Sequence, residues 1–352
     1  MTPILRNWLG KARILIVDML MLAVGAVSYA STGRTPDRAY QAMIRFFCRT
    51  GGRSNDLMTR AIRITGRRAA LPEPRGELGV SGQRDVERIS NVISRNGYFV
   101  FERTLSADVC DRLLHFAIST PARVRPMAGE HRVALSERRA VYERRKPLAV
   151  RYDFDPGDVL AQPEVQALLA NPAILSVAQS YLGSTPIADV VTMWWHTAFT
   201  DQPDEEAAQF FHFDMDRIKW LKFFIYLTDV GPENGPHSFV CGSHRTGGIP
   251  AALLSKGYAR LADEEVARHY ASGDVVEFHA RRGTVLAEDT RGLHKGLAVH
   301  SGDRLMLQLQ FSNSLFGGYY SPASFRTMTQ PLREMVAAHP AIYANYSDHG
   351  RR

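Results

Sequence analysis

Residues 209–228, QFFHFDMDRIKWLKFFIYLT, contain two short runs dominated by aromatic and aliphatic side chains. The first run covers residues 209–214 and the second covers residues 220–228. Apolar or alternating runs of this length are typical of β-strands. We therefore predict two strands here, joined by a short connection.

Six further runs of the same kind flank this stretch, at residues 187–199, 239–241, 274–279, 284–287, 296–300 and 304–312. No long helical pattern alternates with them, which argues against a parallel α/β sheet, and a helical insertion is predicted only at residues 253–270. Short strands joined by turns favour a jelly roll. The predicted fold is mainly β with flanking helices, a double-stranded β-helix (jelly roll) of the cupin-like type.

The run at residues 209–214 carries a candidate metal site. Residues i and i+2 of a strand point to one face, so His212 and Asp214 share a face and Phe213 points away from it. A third ligand must come from a neighbouring strand, and His294 follows the predicted strand at 284–287 after a short loop. Two histidines and one carboxylate form a facial ligand set that suits non-haem Fe(II) with open positions.

Arg304 is a candidate for binding a carboxylate co-substrate. The turn Ser301-Gly302-Asp303 places Arg304 at the start of the strand 304–312. A guanidinium is a rigid fork of donors that matches the geometry of a carboxylate. The alternative is a surface arginine paired with Asp303 or Asp289.

Residues 88–315 resemble the phytanoyl-CoA dioxygenase family of Fe(II)- and 2-oxoglutarate-dependent oxygenases. The motifs that carry the resemblance are NGYFV at 96–100 and LKFFIYLTDVGPENGPHSFVCGSHR at 221–245. It implies that His212, Asp214 and His294 bind iron and that Arg304 binds 2-oxoglutarate. It also implies the cofactors Fe(II), 2-oxoglutarate and O2, and a dioxygenase that releases succinate and CO2.

The expected outcome is hydroxylation of an unactivated C–H bond, because related halogenases have a small residue where this chain has Asp214. The expected substrate is a small molecule or is lipid-like. Two alternatives remain open. One is a zinc hydrolase with the same ligands, and the other is a non-catalytic, membrane-associated jelly-roll binding protein.

Other polar residues near these motifs receive weaker interpretations. Trp194 and His196 share a strand face, for which core packing is favoured over lining the co-substrate pocket. Lys219 and Lys222 are interpreted as substrate contacts. The sequence gives no reason to assign His237 or His244 to the metal, and for them the resemblance implies a structural role or a place at the cavity rim.

The chain divides into three predicted parts: a basic helical extension with a linker at 1–85, the oxygenase jelly roll at 86–320, and a helical tail at 321–352. Residues 1–75 contain thirteen lysines and arginines against four acidic residues, although the whole chain carries only +7. The apolar segment 14–30 is predicted to be an interfacial or core-docked helix, with a membrane anchor as the alternative. A solvated helical face explains the basic charge equally well.

The expected location is cytoplasmic, with peripheral membrane association through residues 1–67, and no nucleic-acid partner is expected. The chain has three widely separated cysteines, which form no CxxC pair, so a reducing compartment is favoured. Its hydrophobic content of 45% is ample for a packed core.

Overall fold

The computed structural model describes residues 3–125, 138–200, 203–205, 207–320 and 323–346, with side chains from residue 15 onward. The strands are β1 (Tyr98–Val100), β2 (Ala122–Arg125), β3 (Arg139–Ala140), β4 (Arg151–Asp153), β5 (Ile187–Thr197), β6 (Trp220–Tyr226), β7 (His237–Val240), β8 (Val275–Phe278), β9 (Val285–Glu288), β10 (His294–Gly296) and β11 (Asp303–Ser312). The helices are α1 (Pro3–Thr32), α2 (Asp37–Thr50), α3 (Arg53–Thr65), α4 (Gln83–Asn96), α5 (Ala107–Ser119), α6 (Pro156–Leu160), α7 (Pro163–Leu169), α8 (Pro172–Leu182), α9 (Ala251–Leu254), α10 (Asp263–Ala267) and α11 (Gln330–Ala338).

The strands form two antiparallel sheets. The larger sheet has the order β1-β9-β6-β11-β5-β4-β2-β3, and the smaller sheet has the order β10-β7-β8. Phe224 and Met306 of the larger sheet join Phe239 and Phe278 of the smaller sheet in one buried cluster. The two sheets therefore face each other across a shared core, and the predicted jelly roll is confirmed.

Strand β11 shows how the sequence pattern sorts its side chains. Leu305, Leu307 and Leu309 are fully buried in the core between the larger sheet and the helices. Arg304 and Gln308 alternate with these leucines and line a cavity between the sheets. The period of two along the strand thus separates a packing face from a functional face.

Three local predictions are wrong in detail. Residues 209–214 form no continuous strand, because Phe211 bridges Leu261 while His212 bridges His294, which leaves only isolated pairs. The strand predicted at 296–300 lies at His294–Gly296 instead. The insertion at 253–270 contains only the short helices α9 and α10, because the chain between them extends to pair with Phe211.

The N-terminal helices pack directly under the candidate ligand segment. Phe47 of α2 stacks on Phe213, with ring centroids 5.4 Å apart. The C-terminal residues are also part of the core, since Ile342 and Tyr343 are fully buried against the larger sheet and its helices. The division into an extension, a domain and a tail remains a prediction.

We expect Phe47→Ala to lower the free energy of unfolding by about 3 kcal/mol, because it empties a buried aromatic site beneath Phe213. Urea denaturation measures the change. Leu57→Ala on α3 is the matched control, since Leu57 is 63% exposed, and its cost should stay within about 0.5 kcal/mol. Equal effects of the two substitutions would contradict the packing described here.

Candidate metal centre

His212, Asp214 and His294 converge on one side of the cavity. One ligand atom from each lies within 4.8 Å of the others. The two histidines are brought together by reciprocal backbone hydrogen bonds, in which each N–H donates to the carbonyl of the other, at 3.0 and 2.9 Å. The Asp214 N–H then donates to the Thr290 carbonyl at 2.7 Å. The backbone alone thus fixes the relative positions of the three residues.

Both histidines present Nε2 to the site. His212 Nδ1 lies 2.9 Å from the Phe210 carbonyl, and His294 Nδ1 lies 3.0 Å from the Gly292 carbonyl. Each Nδ1 therefore carries the proton, and each Nε2 faces an Asp214 oxygen at 3.7 or 3.5 Å. Burial holds the pKa of His212 well below its ordinary value. Burial would also lower the pKa of His294, but the Asp214 carboxylate outweighs it and raises the pKa. A neutral ring with a backbone-fixed Nδ1–H is the form that ligates a metal, so the donor set fits a divalent ion.

Lys222 forms an ion pair with Asp214, and the sequence prediction missed this contact. Its Nζ lies 2.6 Å from Asp214 Oδ2 and 3.2 Å from Asp216 Oδ2. Burial alone would lower the pKa of Lys222, but the two carboxylates outweigh it and raise the pKa. A lone lysine in the apolar strand WLKFFIY was the available signal.

The cavity next to these residues has a volume of about 370 Å³ and is lined from both sheets. Arg304 lies in its wall and is 1% exposed. Its Nη2 lies 2.6 Å from His196 Nδ1, whereas Nε and Nη1 have no hydrogen-bond partner among the described residues. Burial lowers the pKa of Arg304 to about 10. A buried guanidinium with unpaired hydrogen-bond donors is a site for an anionic ligand, because leaving such donors unpaired is energetically costly.

The alternative partners of Arg304 are occupied elsewhere. Asp303 accepts from Arg144 at 2.6 and 3.0 Å, and Asp289 accepts from Arg291 at 2.7 Å. A Cβ on Gly296 would lie 2.8 Å from Arg304 Nη2, so a side chain there would displace the guanidinium. The surface-arginine interpretation is therefore excluded.

The loop before His294 is held by a buried ion pair. Arg291 donates to both oxygens of Asp289, and the Tyr181 hydroxyl donates to the same carboxylate. Burial would raise the pKa of Asp289, but Arg291 outweighs it and holds the pKa below its usual range. This pair stiffens the segment that carries one of the histidines.

The remaining polar residues occupy distinct places. Trp194 and His196 are buried and also line the cavity. His237 lines it too, but its Nε2 lies 3.0 Å from Glu288 Oε1 and it is not in the metal-ligand group. Lys219 lies outside the cavity lining, where its Nζ donates to the Tyr181 carbonyl at 3.0 Å.

A jelly roll with two histidines, a carboxylate and a buried arginine around one cavity is typical of iron- and 2-oxoglutarate-dependent oxygenases. The model of the phytanoyl-CoA dioxygenase (PhyH) family matches residues 93–306. The chain belongs to this family, as the sequence resemblance predicted. It is accordingly an iron- and 2-oxoglutarate-dependent oxygenase whose cofactors are iron, 2-oxoglutarate and O2.

Several solved structures are similar to this chain. The apoform of EctD from S. alaskensis is 19% identical with a TM-score of 0.48, over 76% of this chain and 94% of that chain. The epimerase SnoN, in complex with Fe3+, alpha ketoglutarate and nogalamycin RO, is 18% identical with a TM-score of 0.43, over 65% and 84%. AviO1 from Streptomyces viridochromogenes Tue57 is 20% identical with a TM-score of 0.39, over 66% and 96%. No curated protein matches the sequence.

Asp289→Asn should lower the free energy of unfolding by about 3 kcal/mol, because it leaves the buried Arg291 with only the exposed Asp56 carboxylate as a counter-ion. The wild type should also lose stability as the pH falls below about 4, since a carboxylate with a depressed folded-state pKa stabilises only while it is ionised.

Denaturation between pH 3 and 7 measures both effects. Asp111→Asn is the control, since its pair with Arg282 is exposed and should contribute little to stability. A pH-independent difference between wild type and Asp289→Asn would contradict the assigned ionisation.

Proposed function

We propose that this protein is a dioxygenase that hydroxylates an unactivated C–H bond of a small-molecule or lipid-like substrate. In this proposal His212, Asp214 and His294 hold Fe(II), and Arg304 pairs with the distal carboxylate of 2-oxoglutarate. The observation that carries it is the convergence of three ligand atoms within 4.8 Å beside a cavity whose buried arginine has idle donors.

The protein supplies geometry and charge at defined atoms. His212 and His294 offer Nε2, because backbone carbonyls hold their Nδ1 protons. Arg304 orients the co-substrate from the cavity wall, and the apolar lining from Trp194 and Phe224 excludes water from the reaction. Iron, when bound, supplies the activation of O2 that is coupled to decarboxylation of 2-oxoglutarate. One oxygen atom enters succinate and the other enters the product, with release of CO2.

Hydroxylation is the proposed outcome because Asp214 is retained and its carboxylate occupies the place that a halogenase leaves open for chloride. Similar solved structures include an epimerase and a carbocyclase. Product analysis therefore has to accompany any turnover assay. A gain of one oxygen atom from labelled O2 in the product supports hydroxylation, and an unchanged substrate mass contradicts it.

The zinc-hydrolase alternative is less well supported. It uses the same three ligands but leaves the idle donors of Arg304 without a ligand. A non-catalytic binding protein would leave the buried histidine pair without a chemical role. Succinate formation from iron-loaded protein separates the oxygenase from both alternatives.

We expect His212→Ala to abolish Fe(II) binding and succinate release. Arg304→Met should leave Fe(II) binding intact but weaken 2-oxoglutarate binding about 100-fold, or about 2.7 kcal/mol, because it removes the charged fork. Anaerobic calorimetry measures both affinities. Arg282→Met is the control, since Arg282 is exposed and pairs with Asp111 at the surface. Unchanged 2-oxoglutarate affinity in Arg304→Met would refute the assigned role.

We further propose that the protein is cytoplasmic and attaches peripherally to a membrane through α1. Residues Leu15–Thr32 are long and apolar enough to cross a bilayer, with a mean hydropathy of 1.7. Exposed apolar residues follow one another along this helix: Ile16 at 53%, Leu20 at 57%, Val24 at 62% and Val27 at 72%.

Asp18 favours attachment along the surface rather than a span. It is 2% exposed and binds Arg45 and Arg49 of α2, both at 2.6 Å. A spanning α1 would have to leave these partners or draw them into the bilayer, which is costly. Lying in the interface keeps these ion pairs while the exposed apolar side chains enter the bilayer surface. A lipid-like substrate fits this location.

Leu20→Glu combined with Val24→Glu should abolish sedimentation with vesicles that contain phosphatidylserine, because two charges enter the apolar face. Leu57→Glu on α3 is the matched control and should bind as the wild type does. Equal binding by the double variant would contradict the proposal. A different result would assign this face to a second copy of the chain: the wild type self-associates but binds no vesicles, and the double variant no longer self-associates.

A further inference from the structure

Lys222 lies where its strand should carry an apolar residue. Strand β6 reads WLKFFIY and is buried along its whole length. Lys222 is 7% exposed, and its ammonium faces the cavity between Asp214 and Asp216. Burying an ammonium is costly unless nearby carboxylates compensate it. Its position beside a candidate metal ligand therefore calls for a function.

Asp216 completes a chain of contacts. It follows Asp214 by two residues, and both line the cavity. The Tyr320 side chain hydrogen-bonds to Asp216, and Asp216 Oδ2 in turn lies 3.2 Å from Lys222 Nζ. The ammonium is thus held from one side by Asp216 while it donates to Asp214 at 2.6 Å on the other side.

We propose that Lys222 is a positioning residue for the metal ligand Asp214, an inference that rests on the proposed iron site. Asp214 Oδ2 lies 3.5 Å from His294 Nε2 but accepts from the ammonium, which fixes the rotation of the carboxylate. Oδ1, which lies 3.7 Å from His212 Nε2, is then the oxygen offered to iron. Asp214 then takes a single coordination position, and the positions that 2-oxoglutarate and O2 require stay open. Asp216 serves only to hold the ammonium in place.

Electrostatic repulsion and a positioning role predict opposite changes in iron affinity when Lys222 is replaced. An ammonium this close to a bound divalent cation repels it, so simple electrostatics expects loss of Lys222 to strengthen iron binding. A positioning role predicts that loss of Lys222 weakens iron binding, because residues that orient metal ligands typically contribute about 10- to 100-fold in affinity. The sign of the change therefore distinguishes the two roles.

The experiment compares Lys222→Met with the double variant Asp216→Asn/Lys222→Met. The double variant keeps the net charge of the site, because it removes one charge of each sign, and it leaves no unpaired carboxylate at Asp216. It therefore serves if the single variant fails to fold. Lys219→Met is the matched control, since Lys219 lies on the same segment but contacts Tyr181 and not Asp214.

Anaerobic titration with Fe(II), followed by 2-oxoglutarate, gives two readouts that do not need turnover. We expect the double variant to bind Fe(II) about tenfold more weakly or worse. We also expect the visible charge-transfer absorption of the Fe(II)–2-oxoglutarate complex to shift or disappear, because the 2-oxo acid loses an open position. Lys219→Met should match the wild type in both readouts.

Equal or tighter Fe(II) binding with an unchanged absorption band in the double variant would overturn the positioning role. Failure of the wild type to bind Fe(II) or to form the 2-oxoglutarate complex would instead overturn the proposed iron site. The two failures are therefore distinguishable in one set of titrations.

Discussion

The reciprocal backbone hydrogen bonds between His212 and His294 are the constraint on which the site depends. They join the segment before β6 to strand β10, which belongs to the smaller sheet. Because backbone groups make this bridge, the two imidazoles are set opposite each other before any metal is considered, with ring centroids 4.3 Å apart. Two further contacts hold the same two segments. Phe47 stacks on Phe213, and the Asp289–Arg291 pair stiffens the loop before His294.

The sequence predicted those parts of the structure that follow from strand periodicity. Arg304 alternates with the buried leucines of β11, as a period of two requires. His212 and Asp214 also lie together in the site, although their segment forms only isolated bridges and no continuous strand. The jelly roll followed from short strands without intervening helices. The candidate site residues were predicted because their chemistry is rare and their spacing fits neighbouring strands.

The parts that the sequence did not predict depend on contacts between distant residues. Residues 209–214 resemble a strand, but their partners Leu261 and His294 lie in different segments, so no continuous ladder forms. The contact of Lys222 with Asp214 could not be inferred from spacing, because it depends on how the segment before β6 folds back along that strand. The pairing of Asp18 with Arg45 of α2 could not be predicted from the sequence either, although it orients α1 and so determines which of its faces stays exposed.

In the proposed site, His212, Asp214 and His294 hold iron while Arg304 binds 2-oxoglutarate. An anaerobic crystal structure with Fe(II) and 2-oxoglutarate, measured at the iron absorption edge, tests this arrangement. We expect one anomalous peak within bonding distance of both Nε2 atoms and Asp214, and a carboxylate of 2-oxoglutarate against the Arg304 fork. An iron peak elsewhere, or 2-oxoglutarate bound away from Arg304, would contradict it.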